Sequence, residues 1–156
     1  MSDHLVESYD KQLELINSNL VKMGGLVEQQ VKDSLKALDE KDTEFAEEIL
    51  KKDDKIDNLE KDIYALAYKI IAMRQPMAND LRTVVSALSI ANDLERMGDH
   101  ATNVAKRVAN VKVSMPSQSI SKIVQMGDDV QKMIKNVLDA FILSLIHISE
   151  PTRRDP

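Results

Sequence analysis

Apolar residues recur along this chain at spacings of three and four, the period of a helix with one face turned inward. The first run, Tyr9, Leu13, Ile16, Leu20, Met23, Val27, Val31, Leu35 and Leu38, forms one stripe from a start near Ser2 or Asp3 to about Asp39. Gly24 and Gly25 lie inside it and weaken it by roughly 1 kcal/mol each relative to alanine. Their presence predicts close approach by another backbone. A polar turn from Glu40 to Thr43, with Asp42 or Thr43 as a cap, leads into a second helix ending near Met73. Its stripe reads Ile49, Asp53, Ile56, Glu60, Ile63, Ala67 and Ile70, so two acids hold core-spaced positions. Arg74-Gln75-Pro76-Met77 ends it, because proline disfavours helical geometry in the residue before it. A third helix is predicted from about Met77 to Val111, with Val84, Leu88, Ala91, Leu94, Gly98, Thr102, Ala105 and Val108 in period. Short connections make neighbours antiparallel, so residues 1–113 are expected to form an up-down-up bundle.

Residues 114–119 are a polar, proline-containing break and mark a linker. Residues 120–142 carry a fourth apolar face, including Ile120, Ile123, Val130, Ile134, Val137 and Phe141. An offset of 103 positions aligns this helix with the first, pairing Met23-Gly24 with Met126-Gly127, Val27 with Val130, and Leu35 with Leu138. It is read as the opening of a second copy of the three-helix unit. From Leu143 the helical period fades. Residues 143–156 resemble a translated sequencing-library adapter, so they are expected to be a non-native tail, with His147, Arg153 and Arg154 outside any site. The expected architecture is all-α: an antiparallel three-helix bundle plus one helix of an incomplete second bundle.

Composition narrows the function. The chain has 156 residues, 43% hydrophobic and 3% aromatic, with a net charge of -5 and no cysteine. That acidity argues against a nucleic-acid binder that works by neutralising phosphates. The missing thiols exclude disulfides and thiolate metal sites. No apolar run is long enough to cross a bilayer and the N-terminus lacks a secretory pattern, so a soluble cytoplasmic protein is expected.

The conspicuous chemistry is acidic. Glu95 and Asp99 stack one turn apart on the third helix, with Gly98 between them. Folding the second helix back against the third places Glu95 opposite Ile56 and Asp99 opposite Lys52, to within a shift of a few residues, which brings Asp53 and Asp57 alongside. Four carboxylates at one level of a bundle repel one another unless protonated or bridged by cations. Oxygen-only ligands suit hard ions such as Mg²⁺, Mn²⁺, Ca²⁺ or iron. The plainer reading pairs these acids with Lys52, Lys55, Arg96 or Lys106. His100 points away as a surface histidine, Asp80 favours the helix dipole, Arg82 is expected in a structural ion pair, and the eight methionines are expected to fill the core. No Glu-x-x-His, phosphate loop, His-Glu-x-x-His or dinucleotide turn occurs, so an enzyme is not expected.

Two strings go further. Arg74-Gln75-Pro76-Met77-Ala78-Asn79-Asp80-Leu81-Arg82 and Asp93-Leu94-Glu95-Arg96-Met97-Gly98-Asp99 make the chain, from Met1 to about Ile142, similar to the PhoU family, accessory regulators of bacterial phosphate transport. The resemblance implies two tandem three-helix bundles, each with a Glu/Asp-x-x-x-Asp motif that holds iron or other metal. Glu95 and Asp99 match that motif, and Asp53 and Asp57 fit a companion pair. It also implies a non-enzymatic, cytoplasmic, dimeric adaptor that couples the phosphate ABC transporter to a membrane sensor histidine kinase and represses the phosphate-starvation response. The alternatives are a metal-dependent helical-bundle enzyme and a metal-free helical interaction module.

Overall fold

The first apolar stripe folds as one long helix, α1 (Ser2–Glu40). The structure, a computed structural model, describes residues 2–110 and 114–149. Lys41, in the left-handed region at φ 52°, closes α1. There Asp42 N donates to Ala37 O at 3.0 Å and Lys41 N to Leu38 O at 3.3 Å, the paired bonds that satisfy the last carbonyls of a helix. Asp42 then caps α2 (Thr43–Lys52) by accepting from Phe45 N at 2.9 Å.

The second predicted helix is broken. α2 ends at Lys52 and α3 (Asp54–Arg74) begins beyond Asp53. Gln75, left-handed at φ 45°, and Pro76 stop α3 where the sequence places its end. α4 (Asn79–Asn110) follows, with Asp80 in its first turn as expected. Of the predicted end of that helix, Val111 lies outside the described residues.

α1, α3 and α4 pack on one another, and α2 packs on α1 and α4. Ile56 of α3 faces Gly98 of α4, and Asp53 meets Thr102, so these two helices run antiparallel. Val27 faces Gly98 and Gln30 meets Thr102, so α1 and α4 run parallel. The buried core includes Ile16, Leu20, Met23, Val27, Ile56, Ile63, Ile70 and Val84. A second buried cluster around Leu38, Ala46, Ile49 and Val108 closes the other end. α4 buries mostly small residues, Ala87, Ala91, Gly98, Ala101 and Ala105, which lets its neighbours lie close. Among the described residues every element is helical.

α5 (Ser117–Ser149) lies along α1. A Cβ on Gly24 would collide with the Leu138 side chain, and a Cβ on Gly127 would collide with Leu35. The offset that relates the two glycines also relates the two leucines, so each helix drops a leucine into the other's notch. Gly24 therefore admits a side chain, not the backbone that sequence predicts, because the leucine's branched end is what fits the gap. Gly25 has nothing within 4 Å of its Cβ direction and faces outward. α5 also runs past the predicted fading point at Leu143 to Ser149, since no glycine or proline interrupts it before Pro151. Residues 150–156, including Arg153 and Arg154, lie outside the described residues.

The methionine expectation holds only in part. Met23 is fully buried, but Met73, Met77, Met126 and Met133 are exposed. Those four sit on the outer faces of α3 and α5 or in the turn after α3, where no helix covers them.

Candidate metal centre

Asp53 occupies the break between α2 and α3. It has helical geometry (φ -59°, ψ -36°), and Ile56 N reaches back to its carbonyl at 3.1 Å. Its side chain does not cap α3. Oδ1 instead accepts from Gln30 Nε2 of α1 at 3.0 Å and from Thr102 Oγ1 of α4 at 2.8 Å. Aspartate is a poor helix former because it competes for local hydrogen bonds. Here the competing partners come from other helices, which is why periodicity alone did not place the break.

Asp57 sits one turn along α3, and Asp99 projects from α4. Asp53, Asp57 and Asp99 each offer a carboxylate oxygen, all within 4.8 Å of one another; the first two are half-buried and Asp99 is exposed. Gly98 permits this approach. A Cβ there would stand 3.2 Å from Ile56 Cδ1 and 3.8 Å from Val27 Cγ2. Ile56 thus faces Gly98, a displacement of about one turn from Glu95 that lies within the few-residue shift allowed by the fold-back.

The displacement separates the fourth predicted acid from the other three. Glu95 does not join the trio; it stands a turn along α4, beside Asp99 and near Glu60. Burial, then Asp99, then Glu60 and Asp57, push its pKa up to about 7. Asp57 is raised as well, by burial first and then by the charges of Asp53 and Asp99. Glu60 also adjoins the Tyr64 hydroxyl, whose pKa is raised by burial and then by Glu60. Glu60 was visible as a core-spaced acid, but its nearness to Glu95 depended on the helix register.

The predicted lysine and arginine partners are not in place. Among the described residues the ion pairs within 4 Å are Lys11–Glu7 and Lys132–Asp129, both far from these acids in sequence. Arg82 is in neither, contrary to expectation, and is exposed at the start of α4. His100 is exposed, as predicted.

The donor set suits a hard cation. Metal–oxygen distances of about 2.0 to 2.6 Å allow ligand oxygens up to roughly 4 to 5 Å apart. Three carboxylates at that spacing, with no basic group within 4 Å among the described residues, lower their repulsion by taking up a proton or a cation. Asp99's exposure leaves one side for water to complete the shell.

The PhoU domain profile matches residues 20–108. The phosphate-specific transport system accessory protein PhoU homolog of Clostridium acetobutylicum is 39% identical over 135 residues, 86% of this chain and 62% of its own length. Its counterpart in Caulobacter vibrioides is 38% identical over 145 residues, 92% and 63% respectively. The chain therefore spans just under two thirds of these curated relatives. Among solved structures, PhoU from Pseudomonas aeruginosa is 38% identical with a TM-score of 0.77, over 86% of this chain and 65% of that one. The phosphate transport system regulatory protein PhoU from Streptococcus pneumoniae is 34% identical with a TM-score of 0.78, over 86% and 63%. These relatives are named accessory or regulatory proteins, in agreement with the expected non-enzymatic role.

Proposed function

The chain belongs to the PhoU family, and from that premise we propose that it regulates phosphate uptake and phosphate-starvation signalling as an adaptor between a phosphate ABC transporter and a membrane sensor kinase. The observation that carries this reading is the domain match over residues 20–108, which spans both motif strings and all four predicted acids. The proposed setting is cytoplasmic and the proposed state a homodimer; no described helix is long and apolar enough to cross a membrane. α5 is proposed as the counterpart of α1 that opens a second unit, a reading supported by the reciprocal glycine and leucine contacts.

The acidic cluster is proposed to hold a hard cation, iron, Mn²⁺ or Mg²⁺, through Asp53, Asp57 and Asp99, with Glu95 as an adjoining ligand. When bound, the cation neutralises the carboxylates and ties the start of α3 to the middle of α4. The chain's own part is to hold the acids close and to keep a proton on Glu95 when the cation is absent.

Two experiments test the two halves. In a bacterium lacking its own relative of this protein, expression of the chain is expected to restore repression of a phosphate-starvation reporter at high phosphate. A reporter that stays on, with the chain present at normal levels, rejects the regulatory role. Titration of purified protein with Mn²⁺ or Fe³⁺ tests the cation. Undiminished binding by the Glu95→Ala/Asp99→Ala double variant removes the site as assigned.

A further inference from the structure

The cluster is backed by a buried polar group that belongs to none of the acidic motifs. Gln30 of α1 is 7% exposed and Thr102 of α4 is 3% exposed. Gln30 Nε2 donates toward Asp53 Oδ1 at 3.0 Å, Gly98 O at 3.3 Å and Thr102 Oγ1 at 2.5 Å. Thr102 Oγ1 donates toward Asp53 Oδ1 at 2.8 Å or Gly98 O at 3.0 Å. An ionised carboxylate and a carbonyl only accept, so Gln30 must turn its nitrogen inward. The amide brings two hydrogens and the hydroxyl one. Three acceptors surround them: the carboxylate oxygen, the carbonyl and the hydroxyl oxygen itself. One amide hydrogen and the hydroxyl hydrogen serve Asp53 Oδ1 while the second amide hydrogen serves Thr102 Oγ1, and the carboxylate acceptor makes the bonds to Asp53 the strong ones.

We propose that Gln30 and Thr102 are positioning residues that fix the direction of the Asp53 carboxylate and so set the affinity of the cation centre. This rests on the proposed cation site and adds two residues to it. Both donors converge on one oxygen, Oδ1, which leaves Oδ2 outside the network. Asp53 also sits at a helix break, where the backbone alone constrains it least, and its side chain forgoes capping α3. Fixing that carboxylate from α1 and α4 makes the spacing to Asp57 and Asp99 a property of three packed helices. Apolar residues at these two buried positions would avoid the cost of desolvating an amide and a hydroxyl. Ligand-orienting hydrogen bonds of this kind typically change metal affinity 10–100-fold when removed.

The test is calorimetric titration of Mn²⁺ into the intact chain and into Thr102→Val, Gln30→Met, Thr102→Ser and Asp53→Asn, each checked for folding by circular dichroism without metal. Thr102→Val and Gln30→Met are expected to bind about 10–100-fold more weakly while remaining helical. Thr102→Ser, which keeps the hydroxyl, is expected to bind near the wild-type level. The Mn²⁺ electron-spin resonance of the loaded variants should broaden relative to wild type, a change that a loss of stability alone does not produce. If Thr102→Val fails to fold, Gln30→Met and Thr102→Ser decide the matter. Wild-type affinity in Thr102→Val and Gln30→Met, with loss in Asp53→Asn, overturns the positioning role and leaves the cation site standing. No binding by the wild-type chain overturns both.

Discussion

Glu95 shows how one residue's surroundings set a measurable property of the whole protein. Its folded pKa of about 7 lies above the ordinary 4.5, so the native state keeps a proton that the unfolded chain gives up. Stability from this group is fully present below the unfolded value and is lost as pH rises through the folded one. Asp57, raised in the same direction, adds to the trend. Thermal melts without metal are therefore expected to give a higher midpoint near pH 5 than near pH 8, and Glu95→Gln should flatten that dependence. A midpoint that rises over this interval would contradict the assignment. Asp53 and Glu95 were legible in the sequence because an acid at a core-spaced position is conspicuous, and Asp57 and Asp99 because each lies one turn further along the same helix. Gln30 was not, although Gln30, Ser34 and Ala37 carry on the helical spacing from Met23 and Val27 of the first stripe. A neutral amide between apolar neighbours raises no electrostatic alarm, so its burial became visible only with α4 in place.

At the scale of elements, periodicity located the long helices and their principal ends. Lys41 and Gln75 both adopt left-handed geometry next to the polar and proline-containing turns that marked those ends. The α2–α3 break was illegible because it involves bonds from α1 and α4, which no local pattern contains. The glycines of α1 also needed a partner to be understood. Gly24→Ala is expected to destabilise the chain by about 1–3 kcal/mol, because the new methyl meets Leu138 in a filled notch. The gain in helix propensity, about 1 kcal/mol, offsets only part of this. Adding Leu138→Ala should cost less than the sum of the single changes, with a coupling of about 0.5–3 kcal/mol in a denaturant-based double-mutant cycle. Gly25→Ala, in open space, should be neutral or stabilising.

Across the whole molecule, the proposed cation site would link uptake to folding, because a ligand that binds only the folded chain stabilises it. Mn²⁺ at a hundred times its dissociation constant should stabilise the folded chain by about 2.7 kcal/mol. The corresponding rise in melting midpoint should disappear in Asp53→Asn/Asp99→Asn. α5 leaves a different signature. Its outer apolar face, with Met133 66% exposed and Val137 68% exposed, forms an apolar groove with Ile90, Leu94 and Met97 of α4. Contiguous apolar surface of this kind favours association. Met133→Lys/Val137→Lys is expected to lower binding of a hydrophobic dye and to reduce self-association in sedimentation, with little change in the melting midpoint.

The two leucine notches along α1 and α5 have one more consequence. They lie about three helical turns apart, and each is filled from the opposite helix. A slide of α5 by one turn, about 5.4 Å, would drive both leucines against side-chain-bearing positions at once. Intermediate positions gain neither contact. The pair therefore fixes the register of α5 along α1, because one setting alone seats both leucines.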